Sequence, residues 1–149
     1  MSILSIDTNV LLAAVDVGNA QNKRASAWLT ELNTNENVAI SEFVLFELYG
    51  LLRNPAVLRK PISANAAVNL CQAFRVHPRW QLLGFPEASR NFHNELWPLF
   101  ANEQFPRRRI YDLRLARSLT AQGVSDFATV NLKDFFDVGF TRVFNPLVA

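Results

Sequence analysis

The sequence predicts an α/β domain: a short, parallel β-sheet covered by helices, with about five strands in three layers. Three observations lead there. Short apolar runs alternate with longer segments of helical periodicity. Those runs are apolar at consecutive positions, as strands buried on both faces are. The length of 149 residues fits one domain, residues 1–149, and leaves little room for a second.

The elements follow in order. Residues 3–6 read as a buried strand, ended by Asp7-Thr8-Asn9. Residues 10–15 are apolar and begin a short helix that closes near Gly18-Asn19. Residues 20–32 place Ala25, Trp28, Leu29 and Leu32 at helical spacing, and the polar residues 33–37 make a turn. Residues 38–41 form a second strand. Glu42 then opens a strongly apolar helix that Asn54-Pro55 stops near Arg53. Ser63 caps a helix reaching to about Val76. Residues 81–85 read as a third strand. Residues 86–103 are helical, with Phe92, Leu96, Leu99 and Phe100 on one side, until Pro106 breaks them. Residues 110–122 make the next helix, closed by Gly123. Residues 124–129 are a fourth strand, 132–136 a short helix or turn, and 141–144 a last strand ended by Asn145-Pro146. Parallel sheets bind their ligands beyond the carboxyl ends of the strands. The residues that follow each strand are therefore the first candidates for chemistry.

Composition narrows the function classes. Half of the chain is hydrophobic and 19% is charged, enough apolar material for one sizeable core. A net charge of +2 permits a nucleic-acid partner without demanding one. No apolar run reaches the ~18 residues of a membrane span. Asp7 interrupts the first apolar stretch and no basic region precedes it, so no signal peptide is expected. The single cysteine, Cys71, excludes an internal disulfide, suits a reducing cytoplasm, and sits in an apolar helical pattern as a small packed hydrophobe. His77 and His93 share no metal-ligand spacing with each other or with Cys71 and read as structural. Phosphate-binding glycine loops and Gly-x-Ser-x-Gly elbows are absent. A soluble, intracellular, cytoplasmic protein is the expectation.

Carboxylates carry the remaining signal. Asp7 directly follows the first strand. Glu47 has Phe43, Val44, Gly50 and Leu51 as its helical neighbours, which places a carboxylate on the apolar face of a core helix. A buried carboxylate costs several kcal/mol unless it has a partner, a metal or a proton. Asp112 lies in the first turn of its helix, where the dipole favours a carboxylate by ~0.3–1 kcal/mol. Asn131 and Asp134 follow the fourth strand and offer an amide oxygen and a further carboxylate. Oxygen-bearing side chains converging at one end of a parallel sheet suit a hard divalent cation.

In these residues the sequence resembles a PIN domain of the VapC type. The family opens with an apolar strand ending in Asp, here Ile6-Asp7-Thr8-Asn9-Val10-Leu11-Leu12. Its second acid lies in an apolar helix, here Phe46-Glu47-Leu48, and its third opens a helix, here Tyr111-Asp112-Leu113-Arg114-Leu115-Ala116. Gly123, Thr129, Asn131, Asp134 and Phe135 match its closing stretch, with Asn131 where many PIN nucleases carry an acid. The resemblance spans nearly the whole chain and implies a five-stranded parallel sheet with flanking helices. It also implies RNA cleavage with Mg²⁺ or Mn²⁺, inhibition by a cognate antitoxin, and a homodimer. On that reading Asp7 and Asp112 hold the ion and Glu47 completes the pocket. Asn131 and Asp134 support a second ion or order water. Thr8 or Asn9 hydrogen-bonds a carboxylate or the substrate. The products would carry a 3′-hydroxyl and a 5′-phosphate.

Arg107, Arg108 and Arg109 precede the helix of Asp112, and Arg114 and Arg117 continue the positive charge. They either neutralise RNA phosphates or form a solvated loop pairing with nearby acids. Phe43, Phe46, Tyr49, Leu51 and Leu52 exceed what one helix face needs, which suits a dimer or antitoxin surface as well as a filled core. Two other readings stand beside the toxin: a PIN nuclease acting in RNA processing, and a non-catalytic RNA- or protein-binding module on the same scaffold. A phospho-accepting receiver domain needs an acidic pair after its first strand, and an Asp-x-Asp phosphatase needs Asp where Asn9 stands.

Overall fold

The structure is a computed structural model that describes residues 2–148. The order of elements is β1 (Leu4–Ile6), α1 (Thr8–Val15), α2 (Asn22–Glu31), β2 (Val38–Ser41), α3 (Glu42–Leu52), α4 (Ala64–Arg75), β3 (Gln81–Leu83), α5 (Ser89–Leu96), α6 (Ile110–Ala121), β4 (Asp126–Ala128), α7 (Leu132–Phe135) and β5 (Arg142–Phe144). The five strands form one sheet in the order β3-β2-β1-β4-β5, with every pair parallel. The expected fold class is the observed one.

Local chemistry sets the boundaries. Asp7 caps α1, its carboxylate accepting the Thr8 N–H, so that helix starts at Thr8, two residues before the apolar run. Ser41 ends β2 and caps α3 by accepting the Phe43 N–H at 3.1 Å, so strand passes into helix without a loop. Ser63 caps α4 through the Ala66 N–H, as its sequence predicts. Gly123 follows α6 with φ of +94°, a left-handed conformation in which a side chain would be strained. The segment 86–103 differs from the single expected helix. It forms α5 and then a 3₁₀ turn, Trp97–Ala101, because Pro98 lacks the N–H and the room that an α-helix interior requires.

Topology positions the site. From β1 the chain steps outward to β2 and β3, then returns to the other side of β1 for β4 and β5. The strand order therefore reverses between β1 and β4, the switch point where open parallel sheets hold their ligands. Ile6 pairs with Ala128 at the last register position, so Asp7 and Thr129 emerge side by side from the carboxyl ends. The Asp7 N–H donates to Ala128 O at 2.9 Å, extending the ladder up to the site. Helix α1 packs on α2 and α3, and α3 on α4, whereas α6 packs on α5 and α7. Right-handed crossovers assign these two groups to opposite faces of the sheet.

The core joins both layers. Ile6, Leu11, Ile40, Leu48, Phe127 and Phe135 are fully buried. Phe127 of β4 stacks on Phe140 at 4.8 Å and tilts against Phe135 of α7 at 4.7 Å. It thereby fixes the segment that follows Thr129. Replacing Phe127 with Ala is expected to lower the unfolding free energy by ~3–5 kcal/mol in denaturant titration. A loss under 1 kcal/mol would show that this ring contributes little.

Candidate active site

Asp7 is the most enclosed of the acids, with 7% of its surface exposed. Its Oδ1 accepts the Thr8 N–H at 2.8 Å and its Oδ2 accepts the Thr129 hydroxyl at 2.7 Å. The Asn9 amide adds a longer bond to Oδ2 at 3.3 Å, and its oxygen accepts the Val130 N–H at 3.3 Å. The Thr129 oxygen in turn accepts the Asn131 N–H at 3.0 Å. The carboxylate is thus held from both strand ends at once. Burial above all pushes its pKa up to about 6, and the charges of Glu47 and Asp112 push in the same direction. The bonds from Thr129 and Thr8 oppose that rise without cancelling it.

Glu47 and Asp112 line the same cavity as Asp7, a space of ≈ 190 Å³ bounded also by Phe43, Tyr111 and Arg114. Glu47 departs from expectation: it is exposed. The apolar stripe of α3 runs through Val44, Leu45, Leu48 and Leu52, and Glu47 turns away from it toward the strand ends. Surrounding hydrophobic letters did not make this helix apolar all round. Phe46 is 77% exposed. Asp112 is half-buried in the first turn of α6. Desolvation raises its pKa, Asp134 and Glu47 raise it further, and Arg109 pulls it back.

The remaining predicted residues fall into distinct places. Thr8 is buried, and its hydroxyl donates to Val44 O at 3.4 Å, so its side chain fastens α1 to α3 and its N–H serves Asp7. Asn9 supports Asp7 and the Val130 backbone. Asp134 stands close enough to Asp112 to disturb its titration but does not line the cavity, and neither does Asn131. Arg109 donates to Asp134 O at 2.9 Å and Asp137 Oδ1 at 3.2 Å, binding the start of α6 to α7. Arg107 and Arg108 are exposed in the preceding 3₁₀ turn.

Two features of the site had little or no signal in the sequence. Thr129 was legible as a strand-end residue in the closing motif, but its bond to Asp7 depends on a register spanning 122 positions. The Arg114 guanidinium lies 4.7 Å from the Phe43 ring centroid, with Tyr111 at 5.5 Å and Phe85 at 5.8 Å. These rings come from three separate stretches of the chain, and only Tyr111, three positions before Arg114 on α6, stands in a linear relation to it.

The donors can be judged against a divalent cation. Among the described residues no three acidic, histidine or cysteine side chains are gathered closely enough to hold an ion by themselves. A ready-made cage is therefore absent. Mg²⁺ seldom uses one: it takes one or two carboxylates and fills its remaining positions with water and substrate phosphate. Hard oxygen donors, an open cavity and a carboxylate whose pKa burial and neighbouring negative charge raise, a cost that a bound cation would relieve, fit that mode of binding.

No protein-family model matches the chain. Solved structures share the fold. VapC20 of Mycobacterium tuberculosis, described as a sarcin-ricin loop cleaving toxin, aligns with a TM-score of 0.66 at 18% identity, over 92% of this chain and 95% of that one. FitAcB of Neisseria gonorrhoeae aligns at 0.63 and 21% identity, over 99% and 100%. VapBC2 of Rickettsia felis, solved on a promoter DNA fragment, aligns at 0.61 and 20% identity, over 94% and 98%. The domain thus has the PIN fold. Sequence takes the assignment further: Ribonuclease VapC24, in two strains of Mycobacterium tuberculosis, is 43% identical over 147 residues, 99% of either chain. The chain belongs to the VapC family of ribonucleases.

The raised pKa of Asp7 has a sign that can be measured. A folded value of about 6 against an ordinary 3.8 means that the folded protein binds the extra proton between those limits. The stabilisation is complete below about pH 4 and is lost as pH rises through 6, a change on the order of 3 kcal/mol. In metal-free buffer the Tm should fall between pH 4 and 6.5 more steeply in the wild type than in Asp7→Asn. Parallel curves would exclude Asp7 as the titrating group.

Proposed function

We propose that this protein is a Mg²⁺-dependent endoribonuclease and the toxin of a type II toxin–antitoxin pair, with Mn²⁺ able to replace Mg²⁺. One observation carries the reading: Asp7, Glu47 and Asp112, far apart in sequence, line a single cavity at the switch point of a parallel sheet. The 43% identity to a VapC ribonuclease supports it. So does the toxin described for a structure of the same fold.

Asp7 and Asp112 would hold the ion. When bound, the cation polarises a phosphoryl oxygen and makes water a better nucleophile at neutral pH. Asp7 contributes a fixed position, since Thr8 N–H and Thr129 hydroxyl occupy one lone-pair direction on each of its oxygens. Glu47 is exposed at the cavity and would orient the attacking water and accept its proton. Asp134 and Asn131 stand behind Asp112 and Thr129 and would order water or a second ion. Cleavage by this route leaves a 3′-hydroxyl and a 5′-phosphate.

An antitoxin would be the cytoplasmic partner. Exposed Phe46 and Tyr49 on α3 and Val68 on α4 give it an apolar surface next to the helix turn that carries Glu47, and a second copy of the chain could use similar chemistry. A non-catalytic RNA- or protein-binding module on the same scaffold is the competing reading.

Two measurements decide. Asp7→Asn and Asp112→Asn, purified and folded, should each lose RNA cleavage in Mg²⁺ by on the order of 100-fold or more. Full retention rejects the assignment, and a wild type that binds RNA but cleaves none supports the module. Mg²⁺ at about ten times its Kd should raise the wild-type Tm by roughly 3–5 °C. The two Asn variants should show little of that shift.

A further inference from the structure

We propose that Arg114 is a substrate-binding residue: its guanidinium, held by an aromatic clamp of Phe43, Phe85 and Tyr111, grips a phosphate of the RNA backbone at the acidic cavity. The identity of the ligand rests on the ribonuclease reading above; the clamp itself does not.

Helical geometry separates Arg114 from its nearest acid. Asp112 and Arg114 are two positions apart on α6, so their side chains leave the helix on different sides and do not face each other. The long arginine stem instead reaches Phe43 on the cavity wall and Phe85, which does not line the cavity, so its charge rests on ring faces. Tyr111 flanks it from its own helix.

The cation is thereby positioned but not consumed. Arg114 lines the same cavity as Asp7, Glu47 and Asp112, yet among the described residues it makes no hydrogen bond or ion pair. Its Nε is buried without a partner. Ring faces attract a guanidinium but accept none of its in-plane N–H groups. The terminal nitrogens are neither buried nor bonded among the described residues, which leaves them open to a ligand with two adjacent oxygens. A phosphate matches the planar fork and carries the charge that a cation expects.

The other arginines do not fill this role. Arg109 is engaged with Asp134 and Asp137, and Arg117 lines a separate groove beside Glu95. Arg107 and Arg108 lie outside the cavity wall. Three carboxylates repel a polyanion, and Arg114 is the cationic side chain lining their cavity. Had its purpose been to neutralise those carboxylates, it would be paired with one of them.

The test uses full-length Asp7→Asn as a non-cleaving parent and a fluorescent ten-nucleotide single-stranded RNA, with anisotropy read from 50 to 300 mM NaCl. Adding Arg114→Gln should weaken binding about tenfold and make the slope of log K against log salt shallower by ~0.7, the signature of one lost phosphate contact. Arg114→Lys should keep the slope and lose roughly threefold in affinity, because the charge remains and the fork does not. Unchanged affinity and slope in a folded Arg114→Gln protein would overturn the proposal. If that variant does not fold, the Arg114 Nε–H resonance of the ¹⁵N-labelled parent, assigned by its loss in Arg114→Lys, should move on RNA addition, and a stationary signal overturns the proposal equally. Arg114-dependent binding of a polyglutamate peptide with no RNA dependence would assign a protein carboxylate instead and reject the phosphate. Wild-type cleavage of the same RNA in Mg²⁺, measured alongside, separates the two claims: cleavage with Arg114-independent binding sinks this inference alone, whereas a wild type that neither binds nor cleaves sinks both.

Discussion

The Asp7 carboxylate, enclosed at the end of the central strand, is the constraint around which the rest is arranged. A charge in that position is costly, and the fold lowers the cost with two short hydrogen bonds, one from the first peptide of α1 and one from the residue that follows β4. The second of these is possible only if β1 and β4 are neighbours in the observed register. Sheet order, register and acid position are therefore one structural fact seen at three scales. Residual strain survives in the form of a proton held more tightly than an ordinary aspartate holds it. That is the condition of a site built to receive positive charge.

Around this centre the charge is distributed unevenly. Glu47 and Asp112 reach the cavity from helices of the two different layers. On one flank Arg109 is spent on architecture, tying α6 to α7 through a backbone oxygen and Asp137. On the other flank Arg114 is spent, among the described residues, on aromatic surface alone. Two arginines five positions apart, with Asp112 the one acid between them in sequence, thus have different partners. Their difference lies in what the neighbouring elements offer: an acidic turn for one, ring faces for the other.

Much of this was legible in the sequence because it depends on local rules. Five apolar runs gave five strands, and Ser41, Ser63 and Gly123 mark helix ends by capping chemistry that operates within a few residues. Asp7, Glu47 and Asp112 could be nominated from their places after strands or at a helix start. What escaped depends on distant pairing. Glu47 was misjudged as buried because a helix crowded with hydrophobic residues still has an outer face, and only packing decides which residues occupy it. The division of 86–103 at Pro98 was readable in principle, but the amphipathic pattern outweighed the proline. The bond from Thr129 to Asp7 and the gathering of Phe43, Phe85 and Tyr111 around Arg114 had no linear signature, since each depends on which segments the sheet order brings together.

The register between β1 and β4 has one more consequence, which concerns time. A ribosome releases the first strand long before the fourth, and the two are separated by most of the intervening helices. Until β4 has emerged and docked, the middle of the sheet has an open edge, and its aspartate lacks the hydroxyl that steadies it. The acidic pocket is consequently among the last parts to be assembled during synthesis.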